Sequence, residues 1–227
     1  SLMCPIPLEW RSIADALGRR FMIPIGANEF WVSAYLPVHA GFRAVIALVA
    51  DPAWSSPILT VAGAVSTWAV ARKLWADCSN AVLLALLLFT TSSQVLITSM
   101  TAFSMSMHLA LNMLWLALFL SGRCQGHILA VVVAFFPTGI HQPLFHPLFA
   151  LPLLVLLVHQ RRWRALAFYM MCYALIAAFW LWWPLWISSH GASPAIAIQC
   201  GNTSCSSAVG FTERLLEAVT AIRLENL

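Results

Sequence analysis

Long apolar stretches separated by short charged islands organise this sequence. No Asp, Glu, Lys or Arg occurs between Cys78 and Gly122, between Cys124 and Gln160, or between Ala165 and Thr212. A helix needs about 20 apolar residues to cross roughly 30 Å of hydrocarbon. The first stretch is long enough for two such helices with a polar turn near Ser99. The second fits two shorter ones, with a turn at residues 137–143.

These apolar segments predict six membrane crossings. They lie at roughly 55–72, 79–98, 101–121, 126–139, 142–159 and 163–187. The fourth is short and ends at a proline, which favours a tilted, broken or partly re-entrant helix. The predicted fold is therefore all-α, a polytopic transmembrane helical bundle.

The same pattern divides the chain into three predicted parts. Residues 1–54 form an exterior loop segment with short helices, residues 55–187 the helical bundle, and residues 188–227 an exterior loop with an amphipathic interfacial helix. The helix is predicted because Phe211, Leu215 and Ile222 share one helical face. No signal-peptide pattern is visible at the start. We therefore expect an upstream helix and a chain that is a piece of a longer protein.

Composition agrees with a membrane protein. Hydrophobic residues make up 61% of the chain and charged residues only 9%, whereas a soluble domain carries about 25% charged residues. The sequence has no Gly-rich phosphate loop, no paired Cys motif with zinc spacing and no basic patch suited to nucleic acid. Nucleic acid is therefore not an expected partner, whereas membrane lipids are.

The few charges predict the orientation of the bundle. Because each pair of crossings returns to the side it left, the basic islands share one face, and the cytoplasmic bias of Lys and Arg makes that face the inner one. We expect a bacterial inner-membrane location with this face in the cytosol. Its residues are Arg72, Lys73, Arg123, Arg161, Arg162 and Arg164, against one acidic residue, Asp77. The arginines after residue 160 are interpreted chiefly as topology determinants, with contact to anionic lipids as the minor alternative.

The polar residues of chemical interest fall on the opposite, exterior face. The segment GIHQPLFHPLF, residues 139–149, places His141, Gln142 and His146 at the mouth of the fourth and fifth crossings. Ionisable groups at membrane depth are costly, so their clustering suggests a functional site. Capping of a proline-broken helix end is an equally open interpretation for the two histidines. For His108, within the third crossing, an interhelical hydrogen bond is favoured over a functional role.

Several stretches resemble the C superfamily of membrane glycosyltransferases, including protein mannosyltransferase and aminoarabinose transferase relatives. The first is GANEFWVSAYLPVH in the first exterior loop, and the second is the run of three helices from ILTVAGAVSTW to LALFLSGR. The third is GIHQPLFHPLFALPLLVLL. The chain looks like the amino-terminal half of such an enzyme.

The resemblance implies transfer of a sugar from a polyprenyl-phosphate donor on the exterior face. An acidic residue in the first exterior loop would serve as the base or orient the acceptor. The matching positions are Asn28 and Glu29, and because an amide cannot take a proton, Glu29 is the candidate catalytic residue. The candidate substrate-binding residues are Asn28, His39, Arg43, His141, Gln142 and His146. The resemblance is compatible with a divalent metal, but nothing in the sequence requires one and no metal ligand is assigned.

Three alternatives to an active glycosyltransferase stay open. Without the resemblance, Glu29 is interpreted as a solvated loop carboxylate. Asn28 in place of an acid also favours a non-catalytic accessory subunit, built on the same scaffold and packed against other membrane subunits. A transporter ranks third, because the apolar segments lack the acidic residues expected of a proton- or sodium-coupled carrier.

Overall fold

A computed structural model describes residues 3–13, 22–25, 30–33, 35–140 and 143–191. These residues fall into two compact units, one holding Tyr35–Leu181 and the other holding the chain before Tyr35 together with the last turns of the final helix. The segment predicted to form the carboxy-terminal amphipathic helix lies outside the described residues.

The unit before Tyr35 contains a small antiparallel sheet. Its strands are β1 (Met3–Pro5), β2 (Met22–Ile25) and β3 (Phe30–Ser33), in the order β1-β3-β2. Val32 in the central strand pairs with Met3 on one side and with Ile23 on the other. A 3-10 helix follows at Leu8–Ile13. The sheet departs from the all-α prediction because short runs rich in β-branched and aromatic residues, interrupted by proline, suit strands better than helices.

Eight α-helices lie within the described residues. They are α1 (Val38–Ala47), α2 (Ser55–Leu74), α3 (Ser79–Thr91), α4 (Ser93–Ser99), α5 (Met105–Phe119), α6 (Cys124–Thr138), α7 (Phe145–His159) and α8 (Trp163–Gly191). Each of the six predicted apolar segments coincides with one of these helices or, for the second segment, with the pair α3 and α4. The helical character of these segments is therefore confirmed.

Two helix ends use a residue with positive φ. Gly122 follows α5 with φ 66°, and Arg161 follows α7 with φ 55°. A left-handed residue just past the last turn lets the chain leave a helix while its final carbonyls still accept hydrogen bonds, as Leu157 does from the amide of Arg162. Arg123 and Arg161 thus lie in tight turns at helix ends, whereas Arg72 and Lys73 belong to the last turn of α2.

Helices α2 and α5 form the closest pair of the bundle and run in the same direction. Near their first turns, Ser56 Oγ donates to the carbonyl of Thr101 at 2.6 Å, and near their last turns Lys73 Nζ donates to the carbonyl of Ala117. Between these points a Cβ added to Gly63 would lie 3.6 Å from the Cα of Ala110. The absence of a side chain at Gly63 lets the two backbones approach.

One described helix is clearly long and apolar enough to cross a membrane. It is the Trp163–Trp183 portion of α8, 21 residues long, and only 17% of its most apolar window is buried. Helices α3 and α4 would add a second span if counted together, although they are bent by 54° at their junction. Helices α5, α6 and α7 have 15 residues each, which is about 22 Å at 1.5 Å per residue. Six full crossings are therefore more than helix length alone supports.

Candidate functional site

Helix α1 ties together two loops at one end of the bundle. The amide of Val38 donates to the carbonyl of Gly139 at 3.3 Å, and Arg43 Nη1 donates to the carbonyl of Ala102 at 3.3 Å. The first contact reaches the turn after α6, and the second reaches the loop between α4 and α5. We call this end the mouth, defined by α1 and by the described residues 100–104, 139–140 and 143–144.

An apolar cluster supports the mouth from below. Leu59 of α2, Met107 and Ala110 of α5, and Ile140 are buried together. Val38 and Phe42 of α1 pack against this cluster. Val38 and Phe42 are four residues apart, so they share the face of α1 that packs on the bundle. His39 and Arg43, each next to one of them in the sequence, are half-buried.

The predicted site residues divide into three groups. Asn28, Glu29, His141 and Gln142 lie outside the described residues, so their predicted roles remain predictions. His39 and Arg43 lie at the mouth, on helix α1. The first amide of this helix, that of Val38, is bonded to Gly139, and Gly139 is two positions before His141 in the sequence. His146 lies elsewhere, inside the bundle.

His146 is completely buried and has a partner for each ring nitrogen. Its Nδ1 lies 2.7 Å from Asn112 Oδ1, and its Nε2 lies 2.9 Å from the hydroxyl of Tyr173. This pairing fits a neutral ring, with Nδ1–H donating to the amide oxygen and Nε2 accepting from the phenol. His146 was predicted to lie at the exterior mouth, but α7 begins at Phe145 and its first turn directs the imidazole toward α5 and α8. The residue joins three helices by hydrogen bonds.

A second histidine–tyrosine pair lies along the same interface. His127 Nδ1 of α6 is 2.8 Å from the hydroxyl of Tyr169 of α8, one helical turn from Tyr173. Between the two pairs lies Trp115, which is 0% exposed. Its ring centroid is 5.5 Å from that of His146 and 6.1 Å from that of Tyr169. We call Asn112, Trp115, His127, His146, Tyr169 and Tyr173 the interhelical network.

Sequence reasoning missed most of this network. Its signal was nevertheless present, because the chain has only three tyrosines and two of them, Tyr169 and Tyr173, are spaced to share one face of α8. Asn112 is likewise an amide in a segment without charged residues. Polar side chains with this placement in apolar helices are usually hydrogen-bonded between helices.

A shallow apolar groove of about 540 Å³ lies beside the mouth. It runs between the start of α2 and the end of α4, next to the Thr101 carbonyl that accepts the bond from Ser56. Its lining residues are Ala53, Pro57, Thr60, Val61, Ser99 and Met100. The groove is suited to a hydrocarbon chain rather than to a polar ligand.

Within the described ranges, no group of three or more His, Cys, Asp or Glu side chains is placed to hold a metal ion. No family model, curated protein or solved structure matches the chain. The chemistry of the mouth must therefore be argued from its own residues.

Proposed function

We propose that this chain is an integral membrane glycosyltransferase, or the amino-terminal part of one, that uses a polyprenyl-phosphate sugar donor at the mouth. The observation that supports this most directly is the attachment of α1. It holds the start of α1, with His39, at the turn that precedes His141 and Gln142 in the sequence, and it holds Arg43 against the loop between α4 and α5. Cationic and hydrogen-bonding side chains converging at a membrane surface suit a lipid-linked phosphate.

Membrane integration with six crossings is part of this proposal. It is supported by α3, where Leu83, Leu84, Leu87 and Leu88 are each more than half exposed, between 54% and 64%. Such a surface belongs against lipid rather than water. The short helices α5 to α7 would span with the help of flanking residues and local thinning of the bilayer.

Hydroxyl groups in α2 support the same conclusion. Thr60, Ser66 and Thr67 each donate to the carbonyl four residues earlier, at 2.8 to 2.9 Å. Polar groups in hydrocarbon must be satisfied within the protein, because no water is available there. These hydroxyl groups therefore need no water as a hydrogen-bond partner, although parts of the helix that carries them are exposed.

The proposed chemistry assigns one role to each predicted site residue except His146. Glu29 accepts a proton from the acceptor hydroxyl, or orients that hydroxyl, as the sugar moves to it. Arg43, His39 and His141 stabilise the departing phosphate, and Asn28 and Gln142 hydrogen-bond to the sugar. We leave His146 out of this set because both of its ring nitrogens are occupied. The apolar groove beside the mouth would hold the first units of the prenyl chain.

The test combines binding with transfer. Purified protein in neutral detergent is titrated with polyprenyl phosphate, and then supplied with polyprenyl-phosphate-linked mannose or aminoarabinose. Arg43→Gln should weaken binding about tenfold or more, because a hydrogen bond to a charged group contributes about 1.5–3 kcal/mol. Glu29→Gln should abolish transfer but leave binding intact. His159→Gln, on an exposed residue at the far end of α7, is the matched control. Absence of polyprenyl-phosphate binding, or equal weakening by His159→Gln, would contradict the proposal.

An accessory subunit is the second candidate. Asn28 in place of an acid favours it, because the chain then relies on a single carboxylate for the chemistry. Extraction in mild detergent separates the two proposals. An accessory subunit should co-purify with other membrane proteins in fixed ratio and should bind no polyprenyl phosphate, whereas the enzyme should bind the lipid when isolated.

A further inference from the structure

The end of the bundle opposite to the mouth carries a concentrated positive charge. We infer that this end binds the headgroups of anionic phospholipids. We call the surface the arginine face, and it consists of Arg72, Arg123, Arg161, Arg162 and Arg164. The inference requires membrane insertion but no transferase activity, so it goes beyond the proposed function.

Contacts in the bundle bring the three basic islands together. Lys73 donates to the carbonyl of Ala117 near the end of α5, which places neighbouring Arg72 close to the turn that contains Arg123. His127 Nδ1, in the first turn of α6, lies 2.8 Å from the hydroxyl of Tyr169 in the second turn of α8. Helix α6 begins directly after Arg123, and α8 begins directly after Arg162. The turn after α7 therefore lies beside the turn after α5. Residues far apart in the sequence form one surface.

The arginines of this surface are available to a ligand. All five are exposed, and none of them forms an ion pair with another described residue. Arg72 lies over the ring of Trp68, 5.3 Å from its centroid, which holds its guanidinium at the outer edge of α2. The neighbouring Lys73 is not available in the same way, because its ammonium group is bonded to the carbonyl of Ala117. There it offsets part of the negative end of the α5 helix dipole.

Exposed tryptophans place the arginine face at the depth of lipid headgroups. Trp75, three residues after Arg72, is 49% exposed, and Trp163, between Arg162 and Arg164, is 59% exposed. Tryptophan prefers the interface between hydrocarbon and water. The guanidinium groups lie beside these tryptophans at the ends of apolar helices. They therefore lie at the level of the phosphodiester groups of the bilayer. Each such cation should increase the affinity for an anionic lipid about fivefold.

The experiment measures lipid selectivity. Protein purified in neutral detergent is titrated with fluorescent phosphatidylglycerol and with the matching phosphatidylcholine. The unaltered chain should prefer phosphatidylglycerol by tenfold or more. The triple variant Arg161→Gln, Arg162→Gln, Arg164→Gln should lose most of this preference, while the corresponding Arg→Lys triple variant should keep it. The substituted side chains are exposed, so circular dichroism should show unchanged helix content.

Three outcomes would overturn the inference. Equal affinity for the two lipids would show that the surface does not recognise anionic headgroups. An equal loss after the triple variant Arg19→Gln, Arg20→Gln, Arg214→Gln, which removes the same charge from residues that do not belong to the arginine face, would show that net charge and not this surface is responsible. Displacement of the labelled lipid by millimolar inorganic phosphate would identify a site for free phosphate instead. None of these results depends on polyprenyl-phosphate binding, so failure here is distinguishable from failure of the proposed function.

Discussion

His146 shows how one residue acquires a different meaning in three dimensions. In the sequence it stands between two prolines, five residues after His141, and both histidines were expected at the same surface. In the structure its ring is enclosed by α5, α7 and α8, with Asn112 and Tyr173 as partners. A spacing of five residues across a helix start cannot tell which side chain continues the loop and which enters the core. Only the position of the first turn of α7 decides this.

Replacing His146 with leucine should destabilise the bundle. The substitution leaves the amide of Asn112 and the hydroxyl of Tyr173 without their buried partner, at a cost of about 1–3 kcal/mol. The free energy of unfolding is measured by circular dichroism in mixed micelles of increasing denaturing-detergent content. The control is His159→Leu, which replaces an exposed residue of the same helix and should change the free energy of unfolding little. Adding Asn112→Leu to His146→Leu should restore part of the loss, and equal effects of the two single histidine variants would refute the role of the network.

Gly139 makes a second residue-scale prediction. A Cβ added there would lie 2.1 Å from Cζ2 of Trp180, whose indole Nε1 donates to the carbonyl of Phe135 at 2.9 Å. Gly139→Ala should therefore displace the indole from the end of α6 and cost about 1–3 kcal/mol of unfolding free energy. The smaller ring in Trp180→Phe should relieve the overlap. If Gly139→Ala costs as much with phenylalanine at position 180 as with tryptophan, the contact is not the cause.

At the scale of elements, the helices of the bundle were largely predictable and their interruptions were not. Charge-free stretches of sufficient length predict α2, α5, α6, α7 and α8. Such apolar segments must be buried in protein or in lipid, where a helix satisfies the backbone hydrogen bonds. The bend of 54° between α3 and α4 was not foreseen. Ser92, the residue between them, has extended backbone angles in a hydroxyl-rich run that hydropathy averages into a single segment. The sheet before Tyr35 was missed because three- or four-residue strands carry too short a pattern.

The pairing of α2 with α5 depends on Gly63. A Cβ at this position would lie 3.2 Å from Cζ of Phe89 and 3.6 Å from Ala110 Cα, so Gly63→Leu should push the helices apart and cost about 1–3 kcal/mol. Gly41 of α1 offers a matched control, because nothing lies within 4 Å of its added Cβ. Gly41→Leu should stabilise by about 0.5–1 kcal/mol through higher helix propensity. Thermal unfolding followed by circular dichroism compares the two, and effects of the same sign would contradict close packing at Gly63.

For the whole molecule, charge distribution proved more informative than individual residues. The basic islands were predicted to share a face because apolar segments come in pairs. In the structure the contacts of Lys73 with Ala117 and of His127 with Tyr169 bring those islands together. His39 and Arg43 were predicted on the other side. Helix α1, which carries both, is bonded to the turn after α6 through Val38 and to the loop between α4 and α5 through Arg43. Their chemical roles could not be derived, because their predicted partners Glu29 and His141 lie outside the described residues.

Cysteine labelling tests the arrangement of the whole molecule in the membrane. Cys78, just before α3, and Cys124, the first residue of α6, are free and exposed, and both lie at the end that carries the arginine face. In a variant with Cys4, Cys172, Cys200 and Cys205 replaced by serine, an impermeant maleimide should modify both from the cytosolic side only. The measurement compares intact cells with inverted membrane vesicles.

Ser99→Cys in the same background reports on the mouth, at the opposite end of the bundle. Because α3 and α4 together lead from Cys78 to the mouth, the new thiol should react only from the exterior. Modification from the cytosolic side would mean that the bent α3–α4 pair enters and leaves on one side, which is the alternative that a 54° break allows. The mouth and the arginine face would then open to the same compartment. An enzyme that takes an exterior donor could not work in that arrangement, so this single result would overturn the proposed function while leaving the helical network around His146 intact.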